Sequence, residues 1–277
     1  MHGTYRRVGL INRKYFTIGI LLLSLALACF GCLWEQPVTG QALLGPLINA
    51  GVDVYREDDL KNPIFSTTTS DAAVLADAGL FAIPDNVFEE GRLYVIAVSG
   101  GRDIDADDDG VLDATPTDNQ GTLHLIGTAE QLRSGAFKVN ILTEILYQKV
   151  SYLLLAQYPR QAILSTMKQY VRALLKEDMD GDGDIDIDDL LAWDPVTDKD
   201  SAAIDRSSIQ NCIAAIHADD AYADELAAIY KNIISAVQKN AVPMLGFAEN
   251  VAVSGDYAYV VYERAYYGSN FLSGLQV

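Results

Sequence analysis

The chain has 277 residues, with 20 Lys and Arg against 38 Asp and Glu, a formal charge of −18. That balance excludes nucleic-acid binding through phosphate contacts, which needs clustered Lys and Arg, and it favours solubility and divalent cations. Three Cys, at positions 29, 32 and 212, exclude a disulfide framework and a cysteine-rich zinc site.

Residues 1–32 read as an export segment. Arg6, Arg7, Arg13 and Lys14 precede an apolar run from Phe16 to Ala28, and Cys29 and Cys32 follow it. Small residues directly before a Cys resemble the lipobox of bacterial lipoproteins, here Ala26-Leu27-Ala28 before Cys29 and Phe30-Gly31 before Cys32. The resemblance implies lipidation at one of these two Cys. An uncleaved membrane anchor over Tyr15 to Trp34 and an ordinary secretory signal are the alternatives. All three export the remainder. The expected place is an outer-membrane or cell-surface lipoprotein, held to the membrane by its N-terminal lipid or signal anchor.

Residues 33–135 read as β. Gly45 to Tyr55 alternates apolar and polar residues, Pro63 to Thr69 is a β-branched run, Gly91 to Gly100 is a buried strand, and Thr122 to Gly127 returns as another. Short strands at this spacing predict a small β-sandwich. The phrase order, a Gly-initiated strand followed by Thr67-Thr-Thr-Ser-Asp-Ala72, resembles carboxypeptidase-regulatory and prealbumin-like domains.

An acidic loop interrupts that resemblance. In Asp103-Ile-Asp-Ala-Asp-Asp-Asp-Gly-Val-Leu-Asp113, Asp105, Asp107 and Asp109 occupy the first, third and fifth places of a cation loop. Gly110 is sixth, the Val111 carbonyl seventh and Asp113 ninth. The twelfth place is Pro116, which cannot ligate through its side chain, so Asp103 or Asp118 is left to supply the missing oxygen. Crowded carboxylates beside a protein wall call for a bound cation; an unfilled turn is the alternative.

Residues 136–240 read as helical. A helix is predicted from Asn140 to Leu155, stopped by Tyr158-Pro159, and a second from Arg160 to Glu177. The second runs into Asp178-Met-Asp-Gly-Asp-Gly-Asp-Ile-Asp-Ile-Asp-Asp189, and a short helix from Asp188 to Trp193 leaves it. Asp178, Asp180 and Asp182 are short carboxylates converging from one side, Gly183 allows a sharp reversal, and Asp184 offers its backbone carbonyl. Asp186 would reach an ion through water, and Asp189 would close the shell. The spacing resembles the EF-hand family, and with Leu190 and Leu191 following it is similar to one half of a dockerin repeat. The resemblance implies calcium as cofactor; dockerin likeness adds a possible protein partner. Asp189 departs from the usual Glu, which implies weaker closure and more tolerance of magnesium. Helices from Ser207 to Ala218 and from Ala221 to Lys239 complete an expected bundle, and Cys212 reads as a buried small apolar residue.

Residues 241–277 alternate on both sides of Ser254-Gly-Asp256, a hairpin signature. Val251-Ala-Val-Ser-Gly-Asp-Tyr-Ala-Tyr-Val260 and Ser273-Gly-Leu-Gln-Val277 resemble the LVIVD repeat, a β-propeller-like unit, with an insertion from Tyr262 to Leu272. One such repeat cannot bury its faces alone, so this part is expected to belong to a longer propeller protein.

No G-x-S-x-G, H-E-x-x-H or phosphate-cradling loop occurs. His2, His124 and His217 are too scattered for a metal triad, and His124, alternating with Leu123 and Leu125, reads as a satisfied strand histidine. The expected molecule is a non-enzymatic, calcium-binding α+β protein of several domains: a β-sandwich-like domain, a helical bundle with one EF-hand-like loop, and a partial propeller repeat.

Overall fold

Strand β1 (Val38–Leu43) shows how this sequence positions its layers, because its small residue at Gly40 lies between two aromatic partners. The computed structural model describes residues 36–220 and 225–232, and the backbone of strands within 248–276. The export segment at 1–32, with Cys29 and Cys32, lies outside the described residues, as does most of the helix expected from Ala221 to Lys239. Among the described residues no helix is long and apolar enough to cross a membrane.

In chain order, β1 is followed by β2 (Leu47–Ile48), β3 (Gly51–Arg56), β4 (Phe65–Thr68), β5 (Leu80–Ile83), β6 (Leu93–Ser99), β7 (Arg102–Asp103), β8 (Thr117–Asp118) and β9 (Thr122–Thr128). Then come α1 (Ala129–Arg133), β10 (Phe137–Asn140), α2 (Ile141–Leu155), α3 (Arg160–Leu174), α4 (Ile187–Ala192) and α5 (Arg206–His217). Residues 225–232 are helical. The described residues are thus mixed α+β, with no closed barrel among them.

The main sheet is antiparallel in the order β4-β3-β6-β9, and a second joins β10, β1 and β5, with β10 parallel to β1. In the second sheet Gly40 pairs with Phe81 on one side and Phe137 on the other. The two rings meet edge to face at 5.7 Å across the glycine, leaving no room for a Cβ. The strand expected from Gly45 to Tyr55 is divided into β2 and β3, because Asn49 takes a left-handed φ of 57°. Thr69 holds the break, donating its hydroxyl to the Leu47 carbonyl and accepting the Ala50 amide.

β10 was not foreseen as a strand. Phe137 and Val139 alternate inward beside β1, and the chain turns at once into α2. Asn140, fully buried, makes that turn possible: its Oδ1 accepts the Leu142 and Thr143 amides, and its Nδ2 donates to the Leu190 and Trp193 carbonyls. One side chain therefore caps the start of α2 and satisfies carbonyls at the end of α4. Helix α3 ends at Leu174, short of the expected Glu177, because Leu175 becomes extended and bridges to Ala202. One continuous cluster of buried apolar residues runs from Val38 to Ile229, so the strands and helices share a core.

Toward the C-terminus, β11 (Ala248–Ser254), β12 (Tyr257–Tyr262) and β13 (Leu275–Gln276) form an antiparallel sheet, with Ser254 paired to Tyr257. This agrees with the hairpin read from the sequence.

Candidate metal centres

The two acidic loops, about 70 residues apart in sequence, fold into the same turn. In the first, Asp105 Oδ2 accepts the Gly110 amide at 3.0 Å; in the second, Asp178 Oδ2 accepts the Gly183 amide at 2.7 Å. Both contacts run from first place to sixth. At the third place Asp107 accepts the Asp109 amide and Asp180 that of Asp182, at 3.3 and 3.0 Å. At the fifth, Asp109 accepts the Val111 amide and Asp182 that of Asp184, at 2.7 and 2.8 Å. The reversal at the sixth place uses a left-handed backbone, φ 83° at Gly110 and 95° at Gly183, which glycine adopts without steric cost.

This ladder turns three carboxylates to one side. Asp105, Asp107 and Asp109 bring carboxylate oxygens within 4.8 Å of one another, and so do Asp178, Asp180 and Asp182. Each is an all-oxygen, acidic cluster, a donor set that suits a hard divalent cation.

Comparisons of the chain with protein-family models, curated proteins and solved structures found no match. The EF-hand, dockerin, prealbumin-like and LVIVD resemblances therefore rest on their motifs, and the metal reading rests on local geometry.

The remaining positions of the second loop divide the work. Asp184 turns its side chain outward onto α3, where Lys168 and Arg172 pair with it and hold its carboxyl down to about 2. Its Oδ1 also accepts the Ile185 amide at 3.0 Å, so the side chain is engaged and the seventh place falls to the backbone carbonyl. Ile185 packs against the core. Asp186 caps α4 by accepting the Asp188 amide at 3.0 Å. Asp189, 1% exposed, takes the Met179 and Asp180 amides on Oδ1 and the Asp186 amide on Oδ2. It stitches the two halves of the loop together.

The first loop closes differently. Pro116 leaves its twelfth place without a side-chain oxygen, and Asp113 at the ninth accepts the Ala106 amide at 2.9 Å. That is the second-place amide, the one that Asp189 holds in the other loop. Of the two acids offered for the missing oxygen, Asp118 is an exposed partner of Arg102 in β8. Asp103, fully buried, is committed elsewhere: Oδ1 accepts the Asp105 amide, while Oδ2 meets the Gly45 amide at 2.9 Å and His217 Nε2 at 3.0 Å. Gly45 lies so close to the Asp103 carboxylate and the Asp105 carbonyl that a Cβ there would collide with both.

Burial separates the two sites electrostatically. Asp178 lies at the surface, and the Gly183 amide holds its carboxyl below the ordinary range. Asp105 is fully buried, and loss of hydration pushes its carboxyl up. Helix α5 provides that cover. Arg206 donates to the Asp107 carbonyl and Gln210 to Asp108 Oδ2 at 2.9 Å. Asp108 is 2% exposed, its φ is a left-handed 53°, and burial followed by the charge of Asp103 pushes its carboxyl up to about 7. Its Oδ1 has no hydrogen-bond partner among the described residues. The equivalent fourth place in the second loop is Gly181, φ 79°.

Val111 and Leu112 extend into solvent, 63% and 46% exposed, unlike Ile185 at the matching eighth place. Cys212 is buried and its thiol is pushed up to about 11 by burial, as suits a packing residue. Sequence reading missed the roles of Asp103, Asp108 and His217, since each depends on α5 folding back over the loop.

Proposed function

We propose that this chain is an exported, lipid-anchored calcium-binding protein of non-enzymatic type, whose acidic loops fasten its strands to its helices. The ladder of side-chain-to-amide contacts repeated at Asp105–Asp109 and Asp178–Asp182 carries the reading. Preorganised carboxylates repel one another, and a divalent ion relieves that repulsion. In the second loop Asp178, Asp180 and Asp182 would hold the ion directly, with the Asp184 carbonyl, Asp186 through water, and Asp189 through lone pairs its amide contacts leave. In the first, Asp105, Asp107, Asp109, the Val111 carbonyl and Asp113 would do so.

Several observations favour a fastener over a docking module. Leu190 and Leu191, which follow the loop, are 1% and 4% exposed within the core, so neither is offered to a partner. The chain has four Met, too few for the Met-rich groove of a sensor. Export at residues 1–32, with lipid on Cys29 or Cys32, would place both loops where calcium is abundant, so that modest affinity suffices. The sheet of β11 to β13 would belong to an LVIVD-like propeller repeat.

Calorimetric titration of chelator-treated protein with CaCl2, with MgCl2 in parallel, tests the reading. The expected result is one ion per loop and a melting temperature raised by several degrees. Asp178→Asn and Asp105→Asn should each remove one ion. An unchanged melt with and without calcium would end the fastener reading.

A further inference from the structure

The outer face of the main sheet carries a second candidate site, far in character from the acidic loops. Strand register sets Asp53, Ala97 and His124 in one row across β3, β6 and β9, because Asp53 pairs with Ala97 and Ala97 with His124. The next row places Tyr55 beside Val95, and the row on the other side places Ser99 beside Thr122. The central strand therefore shows only short side chains between taller neighbours. Helix α2 covers the β9 edge and sets Tyr147 over His124. A hollow of about 280 Å³ results, floored by Ala97 and walled by Asp53, Tyr55, His124 and Tyr147. A smaller hollow of about 220 Å³ shares His124 and Thr122 with it and reaches Asp219 and Asp220.

His124 is held with care. Its ring stacks on Tyr147 at 4.0 Å and 11°, and its Nδ1 lies 2.8 Å from Glu144 Oε2. The same oxygen accepts the His124 backbone amide at 2.6 Å, while Glu144 Oε1 accepts from Gln148 at 2.6 Å. Glu144 is fully buried. Nδ1 is thus taken up, and Nε2 is the ring nitrogen left for a ligand.

The charge of the lining selects the occupant. Asp53 lines the larger hollow and Glu144, Asp219 and Asp220 the smaller one beside it, and among the described residues no Lys or Arg lines either. Tyr55 and Tyr147 add ring faces, which attract cations. Asp53 and His124 stand two strand spacings apart, roughly 10 Å between Cα atoms. We propose that this trough binds a small organic diamine, with one ammonium at Asp53 and Tyr55, its aliphatic body over Ala97, and its second nitrogen toward His124.

The probe is 1,4-diaminobutane, titrated calorimetrically into the full chain in excess CaCl2, so that acidic loops do not compete. The Asp105→Asn/Asp178→Asn double variant repeats the measurement with both loops disabled. One binding site is expected in each, with 1,4-butanediol, the uncharged isostere, giving no heat. Asp53→Asn should weaken binding by roughly tenfold or more, the usual loss for a charged hydrogen bond. Ala97→Leu fills the floor without altering charge and should abolish binding while the melting temperature holds. The proposal is overturned if 1,4-diaminobutane gives no heat, if the diol binds equally well, if a double variant that keeps the parent's circular dichroism loses the site, or if either Asp53→Asn or Ala97→Leu leaves the affinity unchanged.

Discussion

His217 Nε2 lies 3.0 Å from Asp103 Oδ2 at the end of α5, joining residues 114 apart in sequence in a nearly dry environment. The Asp103 carboxylate also braces the amides of Gly45 and Asp105, so the contact anchors the first acidic loop to the helices. His217→Ala leaves a buried carboxylate short of a partner, which costs about 2–3 kcal/mol. Urea denaturation should show that loss, and calcium should recover less stability in the variant than in the parent.

The first loop is closed by Asp113, not by the residue at its twelfth place. Asp113→Ala removes both the brace on the Ala106 amide and a candidate ligand, so the loop should lose its ion. Pro116→Ala removes neither and should leave binding as it was. Calcium stoichiometry by calorimetry distinguishes them: one ion fewer for Asp113→Ala, the full number for Pro116→Ala. A full complement of ions in Asp113→Ala would show that Asp113 does not close the loop.

Asp108 gives the metal-free protein a pH dependence of definite sign. Its carboxyl is pushed from an ordinary 3.8 up to about 7 by burial and by the charge of Asp103. The folded state therefore holds a proton that the unfolded chain releases near pH 4. The stability is fully present below pH 4 and is lost as pH rises toward 7, a difference on the order of 4 kcal/mol. In EDTA, the melting temperature should fall across that window. Asp108→Asn keeps the Gln210 contact and the tolerance for positive φ, so it should flatten the slope and melt higher at pH 7. An identical slope in the variant would assign the titration elsewhere.

Much of this arrangement is legible in the residues themselves. Gly110 and Gly183 mark the reversals because no other residue takes their φ without cost, and a continuous apolar run identifies β6 because most of it is buried on both faces. Helix limits were harder. Leu174 ends α3 because Leu175 finds a strand partner in Ala202, a choice made by residues beyond the helix. β10 escaped notice because four residues, Phe137–Asn140, give too short a pattern to separate from the helix they precede. Roles that depend on distant contacts, such as Asp103 with His217 or His124 with Glu144, leave no spacing for a linear reading to find.

Asp189 and Asp182 occupy the same loop and should fail in different ways. Asp189 is buried and holds three backbone amides, two from the first half of the loop and one from the start of α4. Asp189→Ala strands those amides whether or not an ion is bound, so it should cost about 2–3 kcal/mol even in EDTA. Because α4 is tied through Leu190 and Trp193 to Asn140, the damage should spread to the cap of α2. Asp182 is exposed and, among the described residues, holds only the Asp184 amide. Asp182→Asn keeps an oxygen there, so its melt in EDTA should match the parent and only the calcium-induced rise should shrink. Thermal melts of both variants, each with and without calcium, make the comparison. If Asp189→Ala melts like the parent in EDTA, its amide contacts do not hold the loop, and its part is confined to the ion.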